Sequence, residues 1–318
     1  MHDSGTMINI VSLTAQRFIE LAAMPAERDW LNNFANGQTR RAYHGDLADF
    51  MHYAGVSHPE QLRQVVRAHV LAWRGALLAR GLAPSTIRRK LAALSSLFGA
   101  LCDANVTLVN PVQGVKRPCV LSHQTRTPAL SDDQARMLLN APDPATLRGL
   151  RDRAILATLL FQGLRRAELC ALAVGDRQLR RGVLHLRVHG KGGKLRYIPL
   201  HPEATHAIDQ YLAQASHAGE VRGALFRPVS NNARAGGAGI TADGVYKMVT
   251  GYTAALGWQR NSCGPHALRI TAATSALDHS ADIVHVQDWL GHADIATTRL
   301  YDRRVLSIDA SPTFRLKY

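Results

Sequence analysis

Residues 183–199 read VLHLRVHGKGGKLRYIP. Val183–Val188 and Arg196–Pro199 have the composition of two short strands. The run Gly190-Lys191-Gly192-Gly193-Lys194 between them is a glycine-rich hairpin tip that carries two lysines. Everywhere else the helical period dominates. Arg148–Gln162 is a strongly apolar helix that stops at Gly163, and Ser131 is placed to cap a shorter one before it. Further helices are expected at about 202–217, 241–255, 266–277, 282–290 and 294–301, with a loop over Ser230–Ile240. The hairpin is therefore one small antiparallel sheet inside a helical chain.

Upstream, residues 17–110 read as helices throughout. In Thr39–Ala54, Tyr43, Leu47, Phe50 and Met51 recur on one face. Leu62–Arg80 is read as a second helix ending at Gly81. Pro84-Ser85-Thr86 opens a third, with Ile87, Leu91, Leu94, Leu97, Phe98 and Leu101 as its apolar stripe and Arg88, Arg89 and Lys90 opposite. The stretch 116–127 (KRPCVLSHQTRT) has no period and no acid, and reads as a basic linker. The expected organisation is a helical N-terminal domain over 1–115, the linker over 116–127, and a C-terminal α+β domain over 128–318. A length of 318 residues suits two domains.

Charge narrows the function. The chain carries a formal net charge of +14, and twelve Arg and Lys face only three acids between Ala145 and Leu200. A field so concentrated attracts polyanions, nucleic acid first among them. Aromatic residues make up only 6%, which argues against an RNA reader built on stacking platforms. No apolar run reaches the ~18 residues of a membrane span, and the first residues lack a signal-peptide pattern, so a soluble cytoplasmic protein is expected. Cys102, Cys119, Cys170 and Cys263 form no CxxC pair, and the histidine pairs His185/His189 and His285/His292 lack carboxylate or thiolate partners. Free thiols and no metal site are expected. GKGGK also lacks the spacing of a P-loop.

Four short motifs carry the chemistry. Gly163–Leu169 (GLRRAEL) taken alone is a helix end, a helix start and an Arg–Glu pair. In Gly264-Pro265-His266-Ala267-Leu268-Arg269, proline opens a helix, and His266 and Arg269 share a face near its positive end. In Leu290–Tyr301 (LGHADIATTRLY), Gly291 caps a helix, His292 starts the turn and Asp294 caps the next helix, which delivers Tyr301.

In this order, GLRRAEL, GKGGK, HALR and LGHADIATTRLY resemble the motif series of the tyrosine recombinases, the phage-integrase type, with Xer-type members closest in layout. The N-terminal block resembles the family's SAM-like core-binding domain more loosely, through the Thr39–Tyr43 helix and PSTIRRKLAALSSLF. The resemblance implies a site-specific DNA recombinase that clamps double-stranded DNA between its domains. Tyr301 would attack the scissile phosphate, leaving a 3′-phosphotyrosyl bond and a free 5′-hydroxyl. His266 would take the phenol proton, since a tyrosine with a pKa near ~10 is a poor nucleophile at neutral pH. Arg165 and Arg269 would clamp the non-bridging oxygens, His292 would donate to them, and Lys191 would protonate the leaving 5′-oxygen, with Lys194 a rival for that role. Glu168 would hold Arg165. No cofactor and no metal are implied, because the phosphotyrosyl bond conserves the energy needed for rejoining. Arg40, Arg41, Tyr43, Arg88, Arg89, Lys90, Lys116 and Arg117 are candidate DNA contacts.

The resemblance also implies a homotetramer on two DNA core sites that exchanges strands through a Holliday junction, with room for accessory proteins. An apolar tail (Val305, Leu306, Ile308, Phe314, Leu316) would dock on a neighbouring protomer or on its own core. About 24 residues precede the first helical block, short for a separate arm-site domain. The chain departs from the family pattern at Ile270-Thr271, where His-Ser or His-Thr is common, and at Ser280, where glycine is common. Alternatives are a type IB topoisomerase-like enzyme, a non-catalytic architectural DNA binder and, least supported, an RNA-binding protein.

Overall fold

A computed structural model of the chain describes residues 26–119, 129–190, 193–229, 237–258 and 263–302. The chain divides into two compact units, Met1–Leu121 and Ser122–Tyr318. Lys116–Thr127 falls across that division, and of it only 116–119 are among the described residues.

The first unit is helical: α1 (Ala26–Asn32), α2 (Gly37–Ala54), a 3-10 turn (Pro59–Gln64), α3 (Arg67–Ala79) and α4 (Pro84–Asp103). Asn36 starts α2 by accepting from the backbone N–H groups of Gln38 and Thr39, and Gly55 ends it at φ +68°. All six stripe residues of α4 are buried, around Phe50 and Trp73. Each such side chain contributes about 1.5–3 kcal/mol by leaving water. The helix read as Leu62–Arg80 is instead broken. Val65 and Val66 are extended, and the His69 side chain accepts from the Val66 N–H to start α3 afresh. Two adjacent β-branched residues weaken a helix at that point.

The second unit contains α5 (Asp132–Asn140), α6 (Leu147–Gln162), α7 (Arg166–Cys170), a 3-10 turn (Val174–Asp176), β1 (Arg177–Arg180), β2 (Val183–His189), β3 (Leu195–Pro199), α8 (Pro202–Gln214), α9 (Ala242–Ala255), α10 (Pro265–Asp278), α11 (Ile283–Leu290) and α12 (Ile295–Arg299). Ser131 caps α5 by accepting from the Gln134 N–H. The central helices α6 and α10 are buried on nearly every face, which is why their sequences carry little amphipathic signal.

The sheet is antiparallel in the order β1-β2-β3, with Arg187 opposite Tyr197 and Val188 opposite Arg196. Two strands were expected, and β1 is the addition. It joins β2 through a two-residue turn, Arg181-Gly182, with both residues at positive φ. An arginine in the left-handed region lacks the Asn-Gly or Asp-Gly signature of such turns. Among the described residues no helix is long and apolar enough to cross a membrane.

Candidate active site

Two helices of the second unit end on glycines in the left-handed conformation, Gly163 after α6 (φ +57°) and Gly291 after α11 (φ +66°). Their terminal carbonyls have no partner within their own helices and carry the negative end of the helix dipole. Two arginines use them. Buried Arg269 donates to the carbonyls of Gly163 and of Leu290, the latter at 2.8 Å. Arg165 donates from Nη2 to the Gly291 carbonyl at 3.0 Å and, more weakly, from Nη1 to that of Leu290 at 3.4 Å. The glycines of GLRR and LGH thus turn two helix ends into a cradle for two neighbouring cations.

Glu168 supplies the counter-charge. Its Oε1 accepts from Arg165 Nη1 at 2.8 Å, and its Oε2 accepts from the Arg165 backbone N–H at 2.8 Å, closing a capping box at the start of α7. Arg196 of β3 donates to both oxygens, at 3.0 and 2.8 Å. Burial alone would raise the Glu168 pKa. The two arginines outweigh it and hold the carboxyl below its usual value, so it stays ionised.

Three more groups complete the cluster. His266 sits at the second position of α10, exposed at a cleft of about 320 Å³ that Arg165, Arg166, Tyr246 and Arg269 also line. Desolvation first, then the charges of Arg269 and Arg165, lower its pKa, so the imidazole is neutral at neutral pH. The same causes push His292 down to about 4. Arg269 donates to its Nε2 at 2.9 Å, and Thr298 Oγ1 lies 2.9 Å from its Nδ1. A guanidinium only donates, so Nε2 accepts here and the proton resides on Nδ1. Tyr301 follows α12 in a turn, its N–H donating to the Thr298 carbonyl, with its ring centroid 5.8 Å from that of His292. It is buried among Ile270, Ala273, Leu277, Val286 and Leu290. Burial raises the phenol pKa, and the nearby Arg269 and Arg165 only partly offset this, so the hydroxyl keeps its proton until something removes it.

The chain matches the family model "Phage integrase family" over residues 128–305 and "Phage integrase, N-terminal SAM-like domain" over 35–105. It is 33% identical over 274 residues to tyrosine recombinase XerC of Syntrophus aciditrophicus (83% of this chain, 86% of the relative). It is likewise 33% identical over 274 residues to XerD of Listeria innocua (84% and 88%).

The chain belongs to the phage integrase family of tyrosine recombinases. It is a site-specific recombinase of this class. Its fold is that of XerH bound to difH substrate in a pre-cleavage complex (TM-score 0.65, 22% identity, 87% of this chain and 80% of that one). It is also that of the Tn1549 transposon integrase with circular intermediate DNA (TM-score 0.68, 18% identity, 92% and 98%).

Of the residues singled out in the recombinase sequence, Arg165, Glu168, His266, Arg269, His292 and Tyr301 gather at this one place. Lys191 lies outside the described residues; Lys194 is exposed, and its carbonyl accepts from the Gly190 N–H at 2.7 Å. Among the candidate DNA contacts, Arg40, Arg41, Arg88, Lys116 and Arg117 are exposed. Arg40 donates to the Phe34 carbonyl and Arg88 to that of Pro118. Tyr43 packs in an aromatic cluster with Trp30 and Phe34. Arg89 pairs with buried Asp46, and Lys90 bridges Asp46 and Asp49 at 3.2 and 3.0 Å.

Sequence reasoning missed Arg196, Thr298, Tyr246 and Arg166. Arg196 is the one charged residue on β3, and what marks it out, its place opposite the fully buried Val188, is set by the register of the sheet. The others, too, are recognisable only once the chain has folded around them.

Proposed function

We propose that the recombinase cleaves one strand of double-stranded DNA at a core site with Tyr301 as nucleophile, its phosphate held between Arg165 and Arg269. The observation that carries this is the gathering of the set around Arg269: Arg165 and His266 line one cleft with it, His292 accepts from it, and the Tyr301 hydroxyl lies close enough for its charge to act on the phenol. The phenol oxygen bonds to phosphorus, the bond to the 5′-oxygen breaks, and a 3′-phosphotyrosyl link replaces it. His266, neutral and exposed at the cleft, takes the phenol proton. Lys191 returns a proton to the departing 5′-oxygen. Arg165 and Arg269 are already fixed by helix-end carbonyls and Glu168, so little reorganisation is needed as charge accumulates on the phosphate. His292 joins once it can donate from Nε2, which the negative phosphate favours.

Strand exchange proceeds in a homotetramer on two sites through a Holliday junction. The tail of one protomer, with Val305, Leu306, Ile308, Phe314 and Leu316, docks on its neighbour. A groove of about 560 Å³ in the second unit offers it an apolar floor that includes Leu139, Leu160 and Phe161, with polar groups such as Asp132, Arg136 and His279 also in its lining. The reading is tested with a nicked suicide substrate built from the DNA flanking the gene. Wild type is expected to form a covalent adduct in EDTA, and Tyr301→Phe to bind the same DNA and form none. An adduct that persists in Tyr301→Phe overturns the assignment.

A further inference from the structure

Arg196 makes as many side-chain hydrogen bonds in the site as Arg165 and Arg269 do, yet it lies in none of the four motifs. Its Nη1 and Nη2 clasp Glu168, and its Nε donates to the Trp289 carbonyl at 3.2 Å. It reaches both through a slot between two motif glycines. A Cβ on Gly291 would lie 3.1 Å from Arg196 Nη1, and one on Gly190 would lie 3.3 Å from the same atom. Gly190 has a φ that any residue adopts, so what its missing side chain provides is room, for this arginine and for the Lys194 carbonyl, which would lie equally close at 3.3 Å. Its side chain is 15% exposed, against 37% for Arg165, so the pairing is shielded from water.

We infer that Arg196 is a positioning residue for strand cleavage, which clamps the base of the lysine hairpin, the carboxylate that holds Arg165, and the turn that carries His292 into one piece. This rests on the site reading above. Three segments far apart in the chain must hold their side chains to within a fraction of an ångström of the phosphate, and a misplacement of about 1 Å costs on the order of 100-fold in rate. Arg196 is the side chain common to all three. A lysine could not replace it, since a point charge cannot clasp two carboxylate oxygens and a carbonyl at once. The bland alternative is a buried ion pair that serves folding only.

The full-length protein with Arg196→Gln and Arg196→Lys separates the two. The expected result is a DNA Kd within about threefold of wild type, while the single-turnover cleavage rate at saturating suicide substrate falls about 10- to 100-fold. The double variant Arg196→Gln/Glu168→Gln should lose less than the product of the two single losses, because the two share one contact while each keeps another of its own. Should the Arg196 variants fail to fold, Gly190→Ala compared with Gly190→Ala/Arg196→Lys decides: the added Cβ crowds the guanidinium and the Lys194 carbonyl alike, and a cleavage loss of at least threefold at unchanged Kd that the shorter head group of lysine does not deepen is expected. Cleavage within twofold of wild type, or losses that multiply in the double variant, would overturn the inference. Tyr301→Phe is run beside them. An adduct surviving in that variant sinks the site reading, whereas a Tyr301-dependent adduct formed at full rate by Arg196→Gln sinks this inference alone.

Discussion

His266 and His292 carry pKa values below the ordinary histidine value of about 6.5, both through desolvation first and then through neighbouring guanidinium groups, Arg269 and Arg165 for the former and these with Arg196 for the latter. For His266 the consequence is kinetic. The base is largely unprotonated at neutral pH, so the acid limb of the cleavage rate should have its midpoint below pH 6.5. A single-turnover pH profile whose acid limb lies well above 6.5 would contradict the role. For His292 the consequence is also stability. Between pH 6.5 and about 4 the unfolded chain binds a proton that the folded site refuses. The stabilisation is therefore complete above 6.5 and is lost as pH falls towards 4. Thermal melts over that range should decline more steeply for wild type than for His292→Asn. The arginines, histidines, glutamate and tyrosine of this site were legible as a set because each sits in a short motif. Arg196 was not, because its role comes from pairing across the sheet and from two glycines that sit apart in sequence.

Among the elements, the glycine caps and one missing glycine make the sharpest statements. Gly163 combines a left-handed φ with close packing: an added Cβ would lie 2.9 Å from Leu290 Cδ2, and its carbonyl holds Arg269. Gly163→Ala should therefore destabilise the second unit by about 1–2 kcal/mol and slow cleavage, read by thermal melts and by adduct formation. Ser280, where the motif resemblance leads one to expect glycine, has φ +69° after α10. The backbone there demands the conformation that serine adopts at a cost, so Ser280→Gly should stabilise by roughly 1 kcal/mol. That corresponds to a rise of about 2–4 °C in Tm for a unit of this size. An unchanged or lower Tm would show that the serine side chain offsets the strain. The other departure, Ile270-Thr271, has a structural account. Ile270 is buried against Tyr301, and Thr271 Oγ1 accepts from the Leu130 N–H at 2.9 Å, tying the start of the second unit to α10. Helix existence followed from apolar period and caps, as in α2 and α4. The break at Val65-Val66 and the strand Arg177–Arg180 did not, since a side-chain cap from His69 and an arginine at positive φ leave no strong local signature.

For the whole molecule, the net charge of +14 and the exposed arginines and lysines of the first unit predict a steep salt dependence of DNA binding. The ion pairs already divide those cations. Lys90 is engaged by Asp46 and Asp49, so Lys90→Ala should cost stability more than affinity. Arg41→Ala, at an exposed position, should weaken binding and lower the salt slope by about one if it meets a phosphate. Truncation after Asp302 should leave binding to a single site intact but abolish tetramer formation on two sites, read by native gel or light scattering. Unimpaired assembly would argue that the tail packs on its own protomer. The most direct test of the account is to trap the covalent adduct on a suicide substrate in EDTA, digest it and map the linkage by mass spectrometry. The account predicts a single peptide with a nucleotide attached through its 3′-phosphate to Tyr301. A linkage to any other residue, or one through a 5′-phosphate, would contradict it.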